Sequence, residues 1–180
     1  MGAPLQHGTD IPSLPALCRF VDGVNRQLCH IVSIATLMMV ALTFLIVVLR
    51  YGFNTGWIAM QESVMYLHAA VFMLAIPYTL RADGHVRVDV FYRRFSPLQQ
   101  AWVGMLGTLL LLFPTCFIIV GYSWTYVAES WRLLESSMEA GGLPLVFLLK
   151  SLIPLSAVLL MLQGVSDIVR HAVTISRRGS

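Results

Sequence analysis

Four polar side chains interrupt long apolar runs of this sequence: Glu62, His68, Lys150 and Gln163. An ionisable group in such surroundings is expensive, so each is a functional candidate until a structural partner is found for it. A carboxylate and an ammonium can hold one another across two helices. A histidine can relay protons or ligate haem, and an amide can bridge helices. Other reactive residues are sparse. Cys18, Cys29 and Cys116 form no CxxC pair and no metal-ligand spacing, so neither a disulfide framework nor a zinc site is expected. The sequence contains no Walker A loop and no nucleophile beside a base. The expectation is therefore no catalytic residue, no cofactor and no metal ligand.

The elements that must position these residues follow from composition. Of 180 residues, 57% are hydrophobic and 12% charged, and the mean hydropathy is +0.75. A soluble domain carries about 25% charged residues. One domain of this length cannot hide so much apolar surface from water, which excludes a soluble enzyme or a free nucleic-acid binder. A membrane span takes about 20 apolar residues. Residues 28–49, 57–80, 98–127 and 143–169 each meet that requirement. The first is too long for a signal peptide, begins well into the chain and lacks a small-residue cleavage site after it. The predicted fold is all-α: an integral membrane domain of four transmembrane helices over residues 14–170. Residues 1–13 are expected to be disordered, and 171–180 to form a cytoplasmic tail.

Charge sets the orientation. Arg19, Arg26, Arg81, Arg87, Arg93, Arg94, Arg170, Arg177 and Arg178 fall on one side, against Arg50 and Arg132 on the other. Positive residues stay inside, so both termini are expected in the cytoplasm. The same asymmetry accounts for the net charge of +3 without invoking nucleic acid. The outer link between spans three and four carries Glu129, Arg132, Glu135 and Glu139. A solvated acidic loop explains it, and the sharper reading is a docking surface for an extracytoplasmic partner.

Local signals add detail. Leu14, Leu17, Val21, Val24 and Leu28 recur at helical steps among Arg19, Asp22, Asn25 and Arg26, which predicts an amphipathic helix on the inner membrane surface running into span one. Between spans two and three, Asp89 and Arg93 stand four apart and Phe91 and Phe95 share a helical face, which predicts a short interfacial helix beginning near Val86. Ser96-Pro97 is a good helix start, and Gly141-Gly142-Leu143-Pro144 reads as a turn before span four. Pro77, Pro114 and Pro154 lie within spans and predict kinks. Trp57, Trp124, Tyr126 and Trp131 suit the outer boundary, and Phe91, Tyr92 and Trp102 the inner one.

Depth suggests pairings. Glu62 lies about 7 Å below the outer end of span two and Lys150 about 10 Å below that of span four, at 1.5 Å per residue. They are expected to pair, directly or through a polar neighbour, as a bridge between helices rather than a transport site. His68 is near mid-membrane, too far from Gln163 to share a relay. An interhelical hydrogen bond is its favoured role. His30 lies at the inner end of span one, His68 is central, and His85 and His171 are cytoplasmic, so no two histidines match in depth on facing spans, which disfavours haem ligation.

Taken together, several motifs resemble a known family. Glu62, Tyr66-Leu67-His68, the apolar run to Arg81, and Gly84-His85-Val86-Arg87-Val88-Asp89 are similar to the signature of the small, DctQ-like membrane subunit of tripartite ATP-independent periplasmic (TRAP) transporters. Ser130-Trp131-Arg132, Glu135, Gly141-Gly142-Leu143-Pro144, Lys150, Ile153-Pro154 and Leu162-Gln163-Gly164 further resemble its mannitol/chloroaromatic-type branch. The chain departs from the family at Leu74-Ala75-Ile76, where glycine is common.

The resemblance implies a partner role in the bacterial inner membrane. A periplasmic solute-binding protein would deliver an organic acid, and a large many-span permease would import it with sodium. This chain would brace that permease among membrane lipids and help dock the binding protein. It would hold neither solute nor sodium itself. Arg81, His85, Arg87 and Asp89 then form the family's cytoplasmic-loop signature. Two rivals stand beside this reading: a four-span proton-coupled small-molecule exporter and a haem-bearing membrane anchor of a redox enzyme.

Overall fold

In lipid every backbone N–H and C=O must be satisfied internally, so long apolar runs become helices. The computed structural model describes residues 16–82 and 95–178. It contains α1 (Ala16–Gly52), α2 (Ile58–Arg81), α3 (Pro97–Gly107), a π-helical segment (Thr108–Leu112), α4 (Phe113–Leu133) and α5 (Val146–Arg178). Among the described residues there is no strand. Four stretches are long and apolar enough to cross a membrane: Cys18–Gly52, Ile58–Arg81, Pro97–Leu133 and Val146–Ser176. The four-span, all-helical expectation holds. The expected interfacial helix from Val86 and the segment 1–13 lie outside the described residues.

The helices stand side by side. α1 packs on α2, α2 on α5, and α5 on the rod formed by α3, the π segment and α4. α5 also touches α1. Along α1 the half-buried residues Leu28, Val32, Ala35, Met39, Leu42, Ile46 and Leu49 recur at steps of four and three. Such spacing makes a single seam against one neighbour. Most of the rest of the outer half of α1 is exposed, including Leu37 and Phe44. Among the described residues the buried apolar core is correspondingly small: Cys18, Val21, Pro77, Ala101, Cys116 and Ala157.

Two local features follow from sequence chemistry. Ser96 caps α3: its hydroxyl accepts the Gln99 N–H at 3.3 Å, and the Gln99 side chain accepts the Ser96 N–H at 2.8 Å. Pro97 follows at the first helical position, where its missing N–H costs nothing. Ser96→Ala should lower stability by about 1 kcal/mol, read as a downward shift in thermal unfolding in detergent.

The second feature is the π segment. Pro114 has no N–H, and its ring crowds the carbonyl of Leu110. The preceding turn widens in response, and the Phe113 N–H reaches back five residues to the Thr108 carbonyl. The expected disturbance at Pro114 thus takes the form of a π-bulge.

The segment before the first span is helical from Ala16. It is the first part of α1, continuous with the span. At 37 residues α1 is about 55 Å long, well beyond the hydrocarbon thickness. Its packed face carries Cys18, Val21 and Asn25, all buried, with Asp22 mostly covered. The predicted stripe assigned Asp22 and Asn25 to water. They turn inward because α2 and α5 present Arg81, Gln163 and Arg170 at that level.

Candidate functional site

Polar side chains gather at the two ends of the helices. At the outer end, Glu62 lies in the second turn of α2. Its Oε1 accepts the Ser137 hydroxyl, and its Oε2 accepts the Leu143 N–H at 2.6 Å. The Ser137 N–H donates to the Leu143 carbonyl at 3.0 Å, and the Glu139 N–H to the Ser137 Oγ at 3.1 Å. One carboxylate therefore stitches the link 134–145 onto α2. The link begins with Leu134 in the left-handed region at φ 46° and turns again at Gly141, φ 82°. Gly142 sits against the carboxylate, and a Cβ there would collide with Ser137 and Glu62.

Lys150 takes a different partner. Its Nζ meets Glu135 Oε2 at 2.5 Å and lies 4.0 Å from the centre of the Tyr126 ring. Beside it, Trp131 packs edge-on against Phe147 at 4.7 Å and donates from Nε1 to Ser151 Oγ at 2.8 Å. The direct Glu62–Lys150 bridge expected from depth is not formed. The two residues share a depth, but the link folds back between α4 and α5 and brings Glu135 to the lysine and Ser137 to the glutamate.

The Lys150 ammonium and a Ser130 hydroxyl hold the Glu135 carboxyl below its ordinary range. A lowered folded pKa means the bridge contributes fully above the unfolded carboxylate value of about 4.3, and its contribution is lost as pH falls through the lower folded value. The stability difference between the wild-type chain and Glu135→Gln should therefore stay constant from pH 8 to about 5 and vanish only in stronger acid. Thermal unfolding across that range measures it.

At the inner end, Asp22 of α1 receives two arginines. Arg81 of α2 approaches Oδ1 with Nε at 3.1 Å, and Arg170 of α5 approaches Oδ2 with Nη2 at 2.5 Å. One turn along α1, Asn25 Nδ2 donates to Gln163 Oε1 at 2.6 Å, and Gln163 Nε2 donates to Asp167 Oδ1 at 2.9 Å. Gln163 is wholly buried. Cys18 Sγ donates to the Ser166 carbonyl at 3.8 Å. Three helices are pinned together here by polar contacts.

The remaining candidates are dispersed. Glu129 and Arg132 form an exposed pair at 2.6 Å, of a kind worth little in water. Glu139 is exposed on the link. His68 is exposed on α2 and, among the described residues, bonds to no other helix of this chain. Among the described residues the interhelical bond expected for it is not formed. His85, Arg87 and Asp89 lie outside the described residues. Among the described residues no group of three or more histidine, cysteine, aspartate or glutamate side chains is placed to hold a metal ion.

Sequence reasoning missed Asp22, Asn25 and Ser137. Asp22 and Asn25 did carry a signal: they are three apart, on one helical face, level with Arg81 and Arg170. Ser137 carried none.

Known proteins resemble this chain. Residues 39–174 match the family described as the DctQ component of tripartite ATP-independent periplasmic transporters. The chain is 33% identical over 109 residues to a Haemophilus influenzae protein named as a TRAP transporter small permease protein. That alignment covers 61% of this chain and 65% of the relative, just short of two thirds of the latter. No solved structure matches significantly.

Proposed function

Because the chain belongs to the DctQ family and is a small permease component of the TRAP transporters, we propose that it is the stationary brace of a tripartite importer in the bacterial inner membrane. It packs against a large many-span permease. That partner carries an organic acid, delivered by a periplasmic solute-binding protein, and couples its entry to sodium. Solute and sodium sites belong to the large subunit. The family reading makes the chain a transporter component rather than an enzyme.

The observation that carries this reading is the side-by-side arrangement of the helices. Among the described residues few apolar side chains are buried, while large apolar side chains are exposed along every span. Such a layout offers broad surfaces to a partner and to lipid. A carrier of its own would need broken helices around a midplane site. The half-buried charges fit the same role, since Glu62, Lys150 and Asp22 each hold parts of this chain together. The arginine asymmetry supports cytoplasmic termini, which puts the link 134–145 in the periplasm. There Glu129, Arg132 and Glu139, with the fully exposed Met138, form the surface offered to the binding protein. Glu135 supports that surface from below through Lys150.

Reconstitution tests the proposal. The large subunit should co-elute with this chain. Uptake into liposomes should require both membrane subunits, the binding protein and an inward sodium gradient. Uptake by this chain alone overturns the assignment.

A further inference from the structure

The exposed residues of α2 are not scattered. Ile58, Gln61, Met65, His68 and Phe72 recur at steps of three, four, three and four. That spacing places them on one face, the geometry of a helix–helix seam without its second helix. α1 and α5 occupy other sides of α2.

His68 says what kind of surface covers this stripe. It lies ten residues below Ile58, about 15 Å down a 24-residue helix, and so near the bilayer centre. Exposed hydroxyls on α1 need no outside partner: Ser33 and Thr43 each donate to the carbonyl four residues back. His68 makes no such bond to its own helix. Among the described residues His68 has no hydrogen-bond partner, and hydrocarbon offers none. A polar residue at this depth faces protein or a water-filled cavity. Lipid is therefore a poor cover for this face, whereas it suits apolar side chains such as Leu37 and Phe44 of α1 and Phe117 of α4.

The surroundings supply a seat. Met65 borders a groove of about 400 Å³ between α2 and α5, walled by Ala69, Met73, Leu149 and Ile153. It also borders a second groove of about 340 Å³ near Gln61 and Glu139 at the outer end. Both are continuous with the stripe.

We propose that the Ile58–Gln61–Met65–His68–Phe72 stripe is the docking face for a membrane-spanning helix of the large permease subunit, which presents a hydrogen-bonding side chain level with His68. This rests on the partner reading given above and adds which face is used.

The test uses the whole complex in native membranes. A photo-crosslinking amino acid replaces Met65 or Phe72 on the stripe, or Leu110 or Phe117 on the far rod, which are 63% and 65% exposed. Crosslinks to the large subunit should form from Met65 and Phe72 and not from Leu110 or Phe117. His68→Leu should lower the co-eluting large subunit about three- to tenfold, as expected for one lost interhelical hydrogen bond, and His68→Gln should restore most of it. Co-elution with crosslinks from the far rod alone overturns the assigned face and leaves the partner reading standing. Crosslinks from the stripe to a second copy of this chain also overturn it. Failure of the wild-type chain to co-elute overturns the partner reading, and the face assignment falls with it.

Discussion

Asp22→Ala should destabilise the chain by about 3 kcal/mol, the largest effect expected of any single polar substitution here. The change leaves Arg81 and Arg170 facing each other without their shared carboxylate. Stranding a buried charge costs roughly 3–5 kcal/mol, and the lower end applies because both guanidiniums keep a quarter or more of their surface exposed and can turn toward water. Asp22→Asn separates charge from shape. It preserves volume and one acceptor, so a loss close to that of alanine marks the charge as the main contribution. Unfolding in mixed micelles, with dissociation of α1 from α5 followed by a crosslink between residues 18 and 166, measures both. Equal stability of Asp22→Ala and the wild-type chain would refute the account.

Gly142→Ala is expected to cost about 1–3 kcal/mol, as overpacking does in a tight site. The added methyl has no room: Ser137 and the Glu62 carboxylate occupy its place, and both belong to the network that seats the link. The link must lift, and with it the Leu143 N–H leaves the carboxylate. Gly141→Ala, its neighbour, has open space but a positive φ, so its cost is strain in the backbone rather than collision. Limited proteolysis of the 134–145 link should accelerate strongly in Gly142→Ala. Under the proposed function, Gly142→Ala should also raise the concentration of loaded binding protein needed for half-maximal uptake while leaving assembly with the large subunit intact.

Much of this fold is written in the sequence, and the reasons are physical. Hydrocarbon thickness forces apolar runs into helices, so four spans can be counted from the sequence. The Ser96 cap is local, decided by residues three apart, and the structure forms it as expected. Pairings across helices are a different matter. Depth is one coordinate and can be read from residue counts, but azimuth depends on which helices become neighbours. Glu62 and Lys150 agree in depth and still take separate partners, because the link inserts Ser137 and Glu135 between them. At the inner end the error has the opposite sense. Apolar residues at helical steps predict a wet face for the polar residues between them, whereas Asp22 and Asn25 meet arginines and an amide from other helices. His68 is legible as a mid-membrane polar residue. Its exposure becomes visible only once α1 and α5 are seen to occupy other sides of α2.

The order in which the helices stand has a consequence for biogenesis. α1 and α2 can zip into a hairpin as soon as both have left the translocon. The rod of α3 and α4 has no such companion, since among the described residues its main packing is on α5. It must wait in the bilayer until the ribosome has finished the helix that follows it. α5 then closes against α1, α2 and the rod in one step, so this late-made helix works as the keystone. Quality-control proteases that patrol nascent membrane proteins would therefore find their opening in the interval before α5 arrives.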